Sequence, residues 1–494
     1  MKDLKERTIR GGAARLVGQA ARALVRLVSL VALAHLLDPS DFGLVAMVTV
    51  VTGVFEIFAT GGLSAATVQR AEISTAQIST LFWFNVAIGA LLALLCVAAA
   101  PAVSSFYNDP RTALILTAIA PAFIVNATGV QHLALLQREL RYATLAAIEV
   151  GSEIVSAVIA ISMAVAGFGY WSIVASVIAC PFAITVGAWT ASGWIPGWPR
   201  RIGDVASMLR FGGTLTLNNL IVFAAYNFEK VLLGRYFGSD ALGLYSRAYE
   251  LVNLPTRIIN NAIGGVAFSS LARLQGDPVR LKSYYLKGFS LVVAITFPAT
   301  IACAVFADDI VLVMLGPQWT GASTIFRLLA PTILVFGIIN PTAWLLQSIG
   351  LQERSLKIAL VLSPLVICSY LVGLPYGPNG VALSFSTMMV LWLMPHLIWC
   401  LHGTGITVGE VLSAAGRVFF SGVAAAIAGA AVQHFAAPIP SAILRLALGG
   451  TAMLAVYGLA LLFVMKQSVF YFDLLRALKG SLANGRQVGL ERVP

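Results

Sequence analysis

Arg10-Gly11-Gly12, an apolar run and Phe42-Gly43-Leu44 open the chain, and Arg210-Phe211-Gly212-Gly213, a second apolar run and Leu242-Gly243-Leu244 repeat the pattern about 200 residues later. The copies continue to matching ends, Gly61-Gly62 with Arg70 in the first and Gly264-Gly265 with Arg273 in the second. A duplication written in apolar segments predicts two similar membrane halves with a central cavity between them, as in many transporters.

Composition fixes the solvent. Of 494 residues, 59% are hydrophobic and 11% charged, with a mean hydropathy of +0.88. Soluble domains carry about 25% charged residues. Lipid offers the backbone no hydrogen bonds, so the spans must be helices or a closed barrel, and these runs are too long and too continuously apolar for barrel strands. The expected class is an all-α polytopic membrane protein. The net charge of +11 is read as basic cytoplasmic loops rather than as a nucleic-acid surface. The five cysteines (Cys96, Cys180, Cys303, Cys368, Cys400) lie inside apolar runs without a C-x-x-C spacing, and the histidines show no ligand spacing. No disulfide framework, metal site or cofactor is expected. The first apolar segment holds Arg15, Arg22 and Arg26 with no small-residue cleavage site after it, so it is expected to be a retained span, not a secretory signal.

Hydropathy and turn chemistry give about fourteen spans. They are 12–37, 42–68, 77–103, 112–136, 142–167, 170–193, 205–237, 242–272, 281–306, 322–350, 355–375, 378–402, 409–435 and 441–465. Loops such as Asp38-Pro39-Ser40-Asp41, Asn108-Asp109-Pro110, Gly197-Trp198-Pro199 and Tyr376-Gly377-Pro378-Asn379 separate them. With the N-terminus cytoplasmic, the inside segments collect most Lys and Arg, whereas the outside loops hold Arg111 and otherwise Asp38, Asp41, Asp109, Asp240, Asp308 and Asp309. Both termini are then cytoplasmic. An even number of spans per copy places the pseudo-two-fold along the membrane normal. The expected organisation is a six-helix lobe over 1–193, a cytoplasmic inter-lobe linker over 194–204 and a second six-helix lobe over 205–403. Two additional helices follow over 404–466, then an amphipathic helix and cytoplasmic tail over 467–494.

Charge inside a span is costly and by default faces a protein interior or a watery cavity. Arg15, Arg22 and Arg26 are spaced 7 and 4, which places them on one stripe of the first span, extended by Gln19 and Ser29. Thr49, Thr52, Glu56 and Thr60 share a face of the second span. Glu149, Ser152, Glu153 and Ser156 share one of the fifth. The eighth carries Glu250, Asn253, Arg257 and Asn261, with Pro255 expected to break the helix among them. The seventh carries Asn218, Asn219, Asn227, Glu229 and Lys230. Two readings stand side by side. Glu149, Glu153, Glu229 and Lys230 could be structural ion-pair ties, and Arg15 could snorkel to the headgroups. Otherwise the stripes line a hydrophilic cavity, with Arg15, Arg22, Arg26, Asn219, Lys230, Arg247, Arg257 and Asn261 as substrate-binding candidates. Glu56, Glu149, Glu153 and Glu250 are then ion-coupling candidates. Guanidinium pairs suit pyrophosphate, and amides and hydroxyls suit sugars. That combination points to a lipid-linked glycan; the residues alone leave other amphipathic anions open.

The motifs also carry a resemblance. They include Leu36-Leu37-Asp38-Pro39-Ser40-Asp41-Phe42-Gly43, Gly62-Leu63-Ser64-Ala65-Ala66-Thr67-Val68-Gln69-Arg70 and Leu136-Gln137-Arg138-Glu139-Leu140-Arg141-Tyr142. Gly167-Phe168-Gly169-Tyr170-Trp171, Leu242-Gly243-Leu244-Tyr245-Ser246-Arg247-Ala248-Tyr249, Pro255 and Gly316-Pro317-Gln318-Trp319 complete the set. The chain resembles, over about residues 8 to 465, the Wzx-type polysaccharide exporters and lipid-linked oligosaccharide flippases of the multidrug/oligosaccharidyl-lipid/polysaccharide superfamily. The resemblance implies two six-helix lobes, two extra helices and alternating access. Its implied cargo is an undecaprenyl-pyrophosphate-linked oligosaccharide, an exopolysaccharide or O-antigen repeat unit. The polymerase and co-polymerase of the same pathway are candidate partners beside membrane lipids, with no nucleic acid.

Two alternatives remain at this stage. A lipid II flippase would share a basic first helix. A membrane glycan polymerase or ligase would be polytopic too, but the longest outer loop, about residues 307–321, is short for a catalytic domain. Walker A, G-x-S-x-G and loop D-x-D patterns are missing. The expectation is a non-enzyme. A multidrug cation exporter is disfavoured by the mostly positive deep charges.

Overall fold

Short polar loops end each helix and cap the next. Asn108 closes one helix in the left-handed region (φ 55, ψ 33), the Asp109 carboxylate accepts from the Arg111 N–H, and Pro110 starts the following helix. The Arg111 guanidinium also holds the Asp109 carboxyl below the usual carboxylate range. Ser74 with Gln77, and Thr407 with Glu410, form reciprocal capping boxes.

The computed structural model describes residues 2–59, 67, 73–199 and 205–465, without the side chains of 2–13, 16 and 205–219. The described residues are helical, with no strand among them. The helices are α1 (Lys2–Leu36), α2 (Pro39–Ala59), α3 (Thr75–Tyr107), α4 (Pro110–Arg138), α5 (Tyr142–Val165), α6 (Tyr170–Ser192) and α7 (Val205–Arg273). They continue with α8 (Pro278–Val305), α9 (Ala307–Met314), α10 (Thr320–Leu329), α11 (Pro331–Ser348), α12 (Gln352–Gly373), α13 (Gly377–Leu401), α14 (Val408–Ala436) and α15 (Ala442–Leu459). Among the described residues, ten helices are long and apolar enough to cross a membrane, or up to eleven when the pair Pro317–Leu329 and Pro331–Ser348, bent by 46°, counts as one. The expected amphipathic helix and tail over 467–494, most of the Gly61–Arg70 stretch, Thr60 and the linker end at 200–204 lie outside the described residues.

Two elements differ from the sequence reading. The seventh and eighth spans do part where expected: α7 is two helices that meet at Gly238 (φ 80), between 205–237 and 242–272, in a backbone region that glycine enters at little cost. Pro255 does not break the second of them. The helix passes through, because a proline costs one backbone hydrogen bond and a neighbouring helix or side chain can satisfy the freed carbonyl. The expected span 322–350 is instead bent where Pro331 opens α11.

Two compact units make up the chain. The first gathers 1–250, 314–325 and 356–388; the second gathers 251–313, 326–355 and 389–494. In the first, α1 packs along α5, α3 along α4, and α6 along α4 and α5. Its core includes Leu44, Val48, Leu92, Cys96, Ile115, Leu116 and Phe123. In the second, α14 packs along α8 and α15, and α11 along α8, around Phe289, Val293, Phe297, Val411, Val418 and Tyr457. The buried Asp309 carboxylate there is held by Arg445 and by Gln433 (2.7 Å). Leu91, Leu94, Val97, Val155, Val158, Leu391 and Ile427 are exposed, giving the helices the apolar outer surface that lipid requires.

The repeated motifs meet in the first unit. A Cβ on Gly43 would lie 1.8 Å from the Ser239 carbonyl oxygen, and a Cβ on Gly243 would lie 1.8 Å from that of Pro39. Exchanging the two motif copies exchanges the two contacts. Other motif stretches brace the same region. The Asp41 carboxylate accepts from the Tyr170 N–H (3.0 Å), and the fully buried Trp319 donates from Nε1 to the Ala34 carbonyl (2.8 Å) while meeting Phe42 edge-on at 5.3 Å.

Candidate functional site: an arginine–glutamate cluster

The basic stripe of α1 meets acidic α5. A Cβ on Gly18 would fall 2.6 Å from that of Ala146, so the two helices touch there. One turn further along, Arg22 lies beside the next acidic positions of α5. Its Nε donates to Glu153 at 3.2 Å, and its Nη1 is 3.6 Å from Glu149. Arg26, one turn on, lies 3.8 Å from Glu250 on α7. Glu250 also receives Arg247 at 2.7 Å, an i,i+3 pair, and the Arg247 guanidinium stands over the Phe42 ring at 4.6 Å. Arg15, nearer the N-terminus of α1, lies over the Tyr142 ring at 5.7 Å.

Arg22 with Glu149 and Glu153, and Arg26 and Arg247 with Glu250, therefore form two ion-pair groups one helical turn apart along α1, inside the first unit. The cluster is neither dry nor fully wet. The Arg22 and Arg26 side chains keep 39% and 55% of their exposure, whereas those of Glu153 and Glu250 keep 18%. Water still reaches the guanidinium groups, so these pairs are weaker than enclosed ones and can exchange partners. A tetrahedral phosphate group can also accept a guanidinium in bidentate fashion through two of its oxygens, as a carboxylate does, and carries more charge when fully ionised.

The other sequence candidates are distributed differently. Lys230 donates to Asn227 one turn back on α7 at 2.8 Å. Asn219 lies in α7 with its side chain outside the described residues. Arg257 and Asn261 are exposed on the part of α7 that belongs to the second unit. Glu56 is exposed on α2. Thr49 and Thr52 donate to carbonyls of their own helix, and Ser156 donates to the Ser176 carbonyl of α6. These three hydroxyls are thus taken up by backbone carbonyls. Sequence reasoning missed Phe42 as the platform under Arg247 and Trp319 as the anchor of α1. Their recurrence in family-like motifs was the available signal. Among the described residues no group of three or more His, Cys, Asp or Glu side chains could hold a metal ion.

Comparison with known proteins places this architecture. A family model described as "Polysaccharide biosynthesis protein" matches residues 32–324, more than half of the chain. The chain belongs to this family. Relatives include the lipopolysaccharide biosynthesis protein WzxC of Escherichia coli (strain K12), 26% identical over 396 residues, 78% of this chain and 80% of that protein. The succinoglycan biosynthesis transport protein ExoT of Rhizobium meliloti (strain 1021) is 25% identical over 474 residues, covering 92% of this chain and 93% of its own. In fold, the family member is similar to the lipid II flippase MurJ in an inward closed conformation, with a TM-score of 0.75 at 13% identity over 93% of this chain and 99% of that one. It is also similar to an inward-facing multidrug MATE transporter, with a TM-score of 0.62 at 16% identity over 77% of this chain and 93% of that one. The fold class is a helical membrane protein of the kind shared by MurJ and MATE transporters.

Proposed function

We propose that this protein translocates an undecaprenyl-pyrophosphate-linked oligosaccharide, an exopolysaccharide or O-antigen repeat unit, across the bacterial inner membrane by alternating access. Membership of the polysaccharide biosynthesis family supports a glycan pathway, and the relatives named for lipopolysaccharide biosynthesis and succinoglycan transport support export. The observation that carries the chemistry is Arg22, part-exposed on α1 with Glu153 at 3.2 Å and Glu149 at 3.6 Å. In this reading the glutamates keep the guanidinium groups of Arg22, Arg26 and Arg247 paired until a pyrophosphate takes their place. Arg15, Lys230, Asn219, Arg257 and Asn261 contribute further donors to the glycan phosphate and sugars. The displaced carboxylates Glu149, Glu153 and Glu250, with Glu56, are candidates for coupling movement to an ion gradient.

The finer architecture belongs to the same reading: fourteen spans, six in each of two lobes related by a two-fold along the membrane normal, and both termini cytoplasmic. The 3-10 turn Leu374–Tyr376 inside the long apolar stretch Gln352–Leu401 and the Gly238 break in α7 support counting each as two spans. The reciprocal Gly43 and Gly243 contacts support the duplication. The polymerase and co-polymerase of the pathway are the expected partners, and the protein itself performs no covalent chemistry.

The test is direct. Purified protein in liposomes moves a labelled undecaprenyl-pyrophosphate oligosaccharide between leaflets without altering its mass. Chain extension or loss of pyrophosphate would make it an enzyme. Movement of lipid II in preference to the oligosaccharide would make it a peptidoglycan flippase.

A further inference from the structure

A cleft in the second unit gathers neutral polar groups between the part of α7 beyond Gly238, α8 and α11. Its floor is closed. Thr256, Ile259, Val292 and Thr296 are buried there. The two floor hydroxyls are already spent, Thr256 donating to the Asn253 carbonyl (3.0 Å) and Thr296 to that of Val292 (3.0 Å). Gly337 lets α11 come onto α8, since a Cβ on it would lie 2.5 Å from the Thr296 hydroxyl oxygen.

The rim is different. Asn260, Asn340 and Trp344 reach the mouth of the cleft with their side chains partly or fully exposed. Among the described residues none of these three side chains makes a hydrogen bond. Trp344 is held in a set orientation by Gly264 of α7, because a Cβ there would lie 3.2 Å from three indole atoms, Nε1, Cε2 and Cζ2. A side chain at 264 would crowd the ring, which gives a use to the glycine pair that ends the second repeat copy. Asn260, rather than its neighbour Asn261, lines the cleft.

Val292 and Thr296 lie about midway along α8, a helix long and apolar enough to span the membrane. Amides and an indole N–H at that depth are poorly served by lipid, which offers no hydrogen bonds, so they face water or a ligand. Among the described residues no charged side chain lines the cleft. Phosphate recognition uses cationic forks, and a metal ion gathers several oxygens, so neither matches this rim. Two amides, each both donor and acceptor, suit the hydroxyls of a sugar, and an aromatic face suits the C–H face of its ring.

We propose that the rim formed by Asn260, Asn340 and Trp344 binds a pyranose ring of the cargo glycan, an inference that rests on the transport reading above. The two amides hold the sugar hydroxyls, and the indole supplies an apolar face and one N–H donor. The ring lies across the mouth, over the closed floor, and needs no interior volume. The two ends of the cargo are then read by different chemistry. Guanidinium groups in the first unit take the pyrophosphate, and neutral amides and an indole in the second take a sugar.

The test compares lipids bound by the full chain in a detergent that has no sugar headgroup. The probes are bare undecaprenyl pyrophosphate and the same lipid bearing a tetrasaccharide, in one case of hexoses and in another of N-acetylhexosamines. Wild-type protein is expected to bind at least one glycosylated lipid about tenfold more tightly than the bare lipid. Asn260→Leu and Asn340→Leu keep the bulk of the side chain, and Trp344→Phe keeps a ring without its N–H. Each is expected to cut that ratio by about threefold to tenfold, with affinity for the bare lipid unchanged. Wild-type binding that ignores the sugars, or a ratio unchanged in all three variants, would overturn the sugar site and leave the transport reading standing. A variant that loses both lipids equally keeps the ratio and counts against the site. A glucosyl diacylglycerol, which has a sugar but no pyrophosphate, is expected to compete poorly; competition equal to that of the glycosylated pyrophosphate lipid would assign the rim to a membrane glycolipid and overturn the cargo role. A sugar-dependent gain that the variants lose, in a protein that moves no lipid-linked oligosaccharide between leaflets, would overturn the transport reading, with the rim kept as a sugar site.

Discussion

Gly43 and Ser239 are in direct backbone contact, since a Cβ on Gly43 would lie 1.8 Å from the Ser239 carbonyl oxygen, and Gly243 stands in the same relation to Pro39. The opposing atom in each case is backbone, which cannot rotate away as a side chain can. Gly43→Ala and Gly243→Ala are each expected to destabilise the protein by about 1–3 kcal/mol or more through overpacking. Thermal unfolding in detergent and abundance in the membrane measure this. Unchanged melting for both variants would show that the helices are not in contact there.

The order expected at Arg22 and at Arg26 is wild type above Arg→Lys above Arg→Ala in cargo movement, at equal abundance in the membrane. Lysine keeps the charge but loses the bidentate fork. Leaving Glu149 and Glu153 without a guanidinium also costs stability, so abundance must be quantified first. Well-folded Arg22→Ala protein with normal transport would make the cluster purely structural.

At Trp319 the indole fills a site with no exposure, and its Nε1–H holds the Ala34 carbonyl. Trp319→Ala is expected to cost about 3–5 kcal/mol and Trp319→Phe less, since the ring contact with Phe42 survives. Chemical denaturation in mild detergent ranks the two. Equal losses would mean that the hydrogen bond, not the ring, anchors α1.

In the second unit Asp309 is buried beneath Arg445 and Gln433. Asp309→Ala is expected to destabilise by about 3–5 kcal/mol because it strands a part-buried guanidinium. The double variant Asp309→Ala with Arg445→Ala is expected to lose less than the sum of the single variants. Additive losses in a double-mutant cycle would show that the pair is not coupled.

For topology, a reporter fused after Lys466 and another placed within residues 308–321 are expected to report opposite compartments. The motive is the acidity of the outer loops against the basicity of the inner ones. The same compartment for both would overturn the arrangement with cytoplasmic termini.

Sequence alone determined the membrane class, the helical state and the internal repeat, because each depends on local chemistry. Apolar length, loop charge and capping residues such as Asp109-Pro110 act on near neighbours along the chain. The stripe of Arg15, Arg22 and Arg26 was legible for the same reason, since helical periodicity puts those positions on one face. Which groups the arginines meet was not legible. Arg22 reaches Glu153 across 131 residues, and only the packing of α1 on α5 decides it. The break at Gly238 fell where the sequence separates the seventh and eighth spans, but Pro255 looked like a second break and is not one, because tertiary neighbours can compensate a proline. Glu229 shows the limit most clearly. In the sequence it is one acid beside Lys230; in the fold its side chain is 1% exposed, and removal of water is a property of the fold, not of any residue's neighbours in the chain.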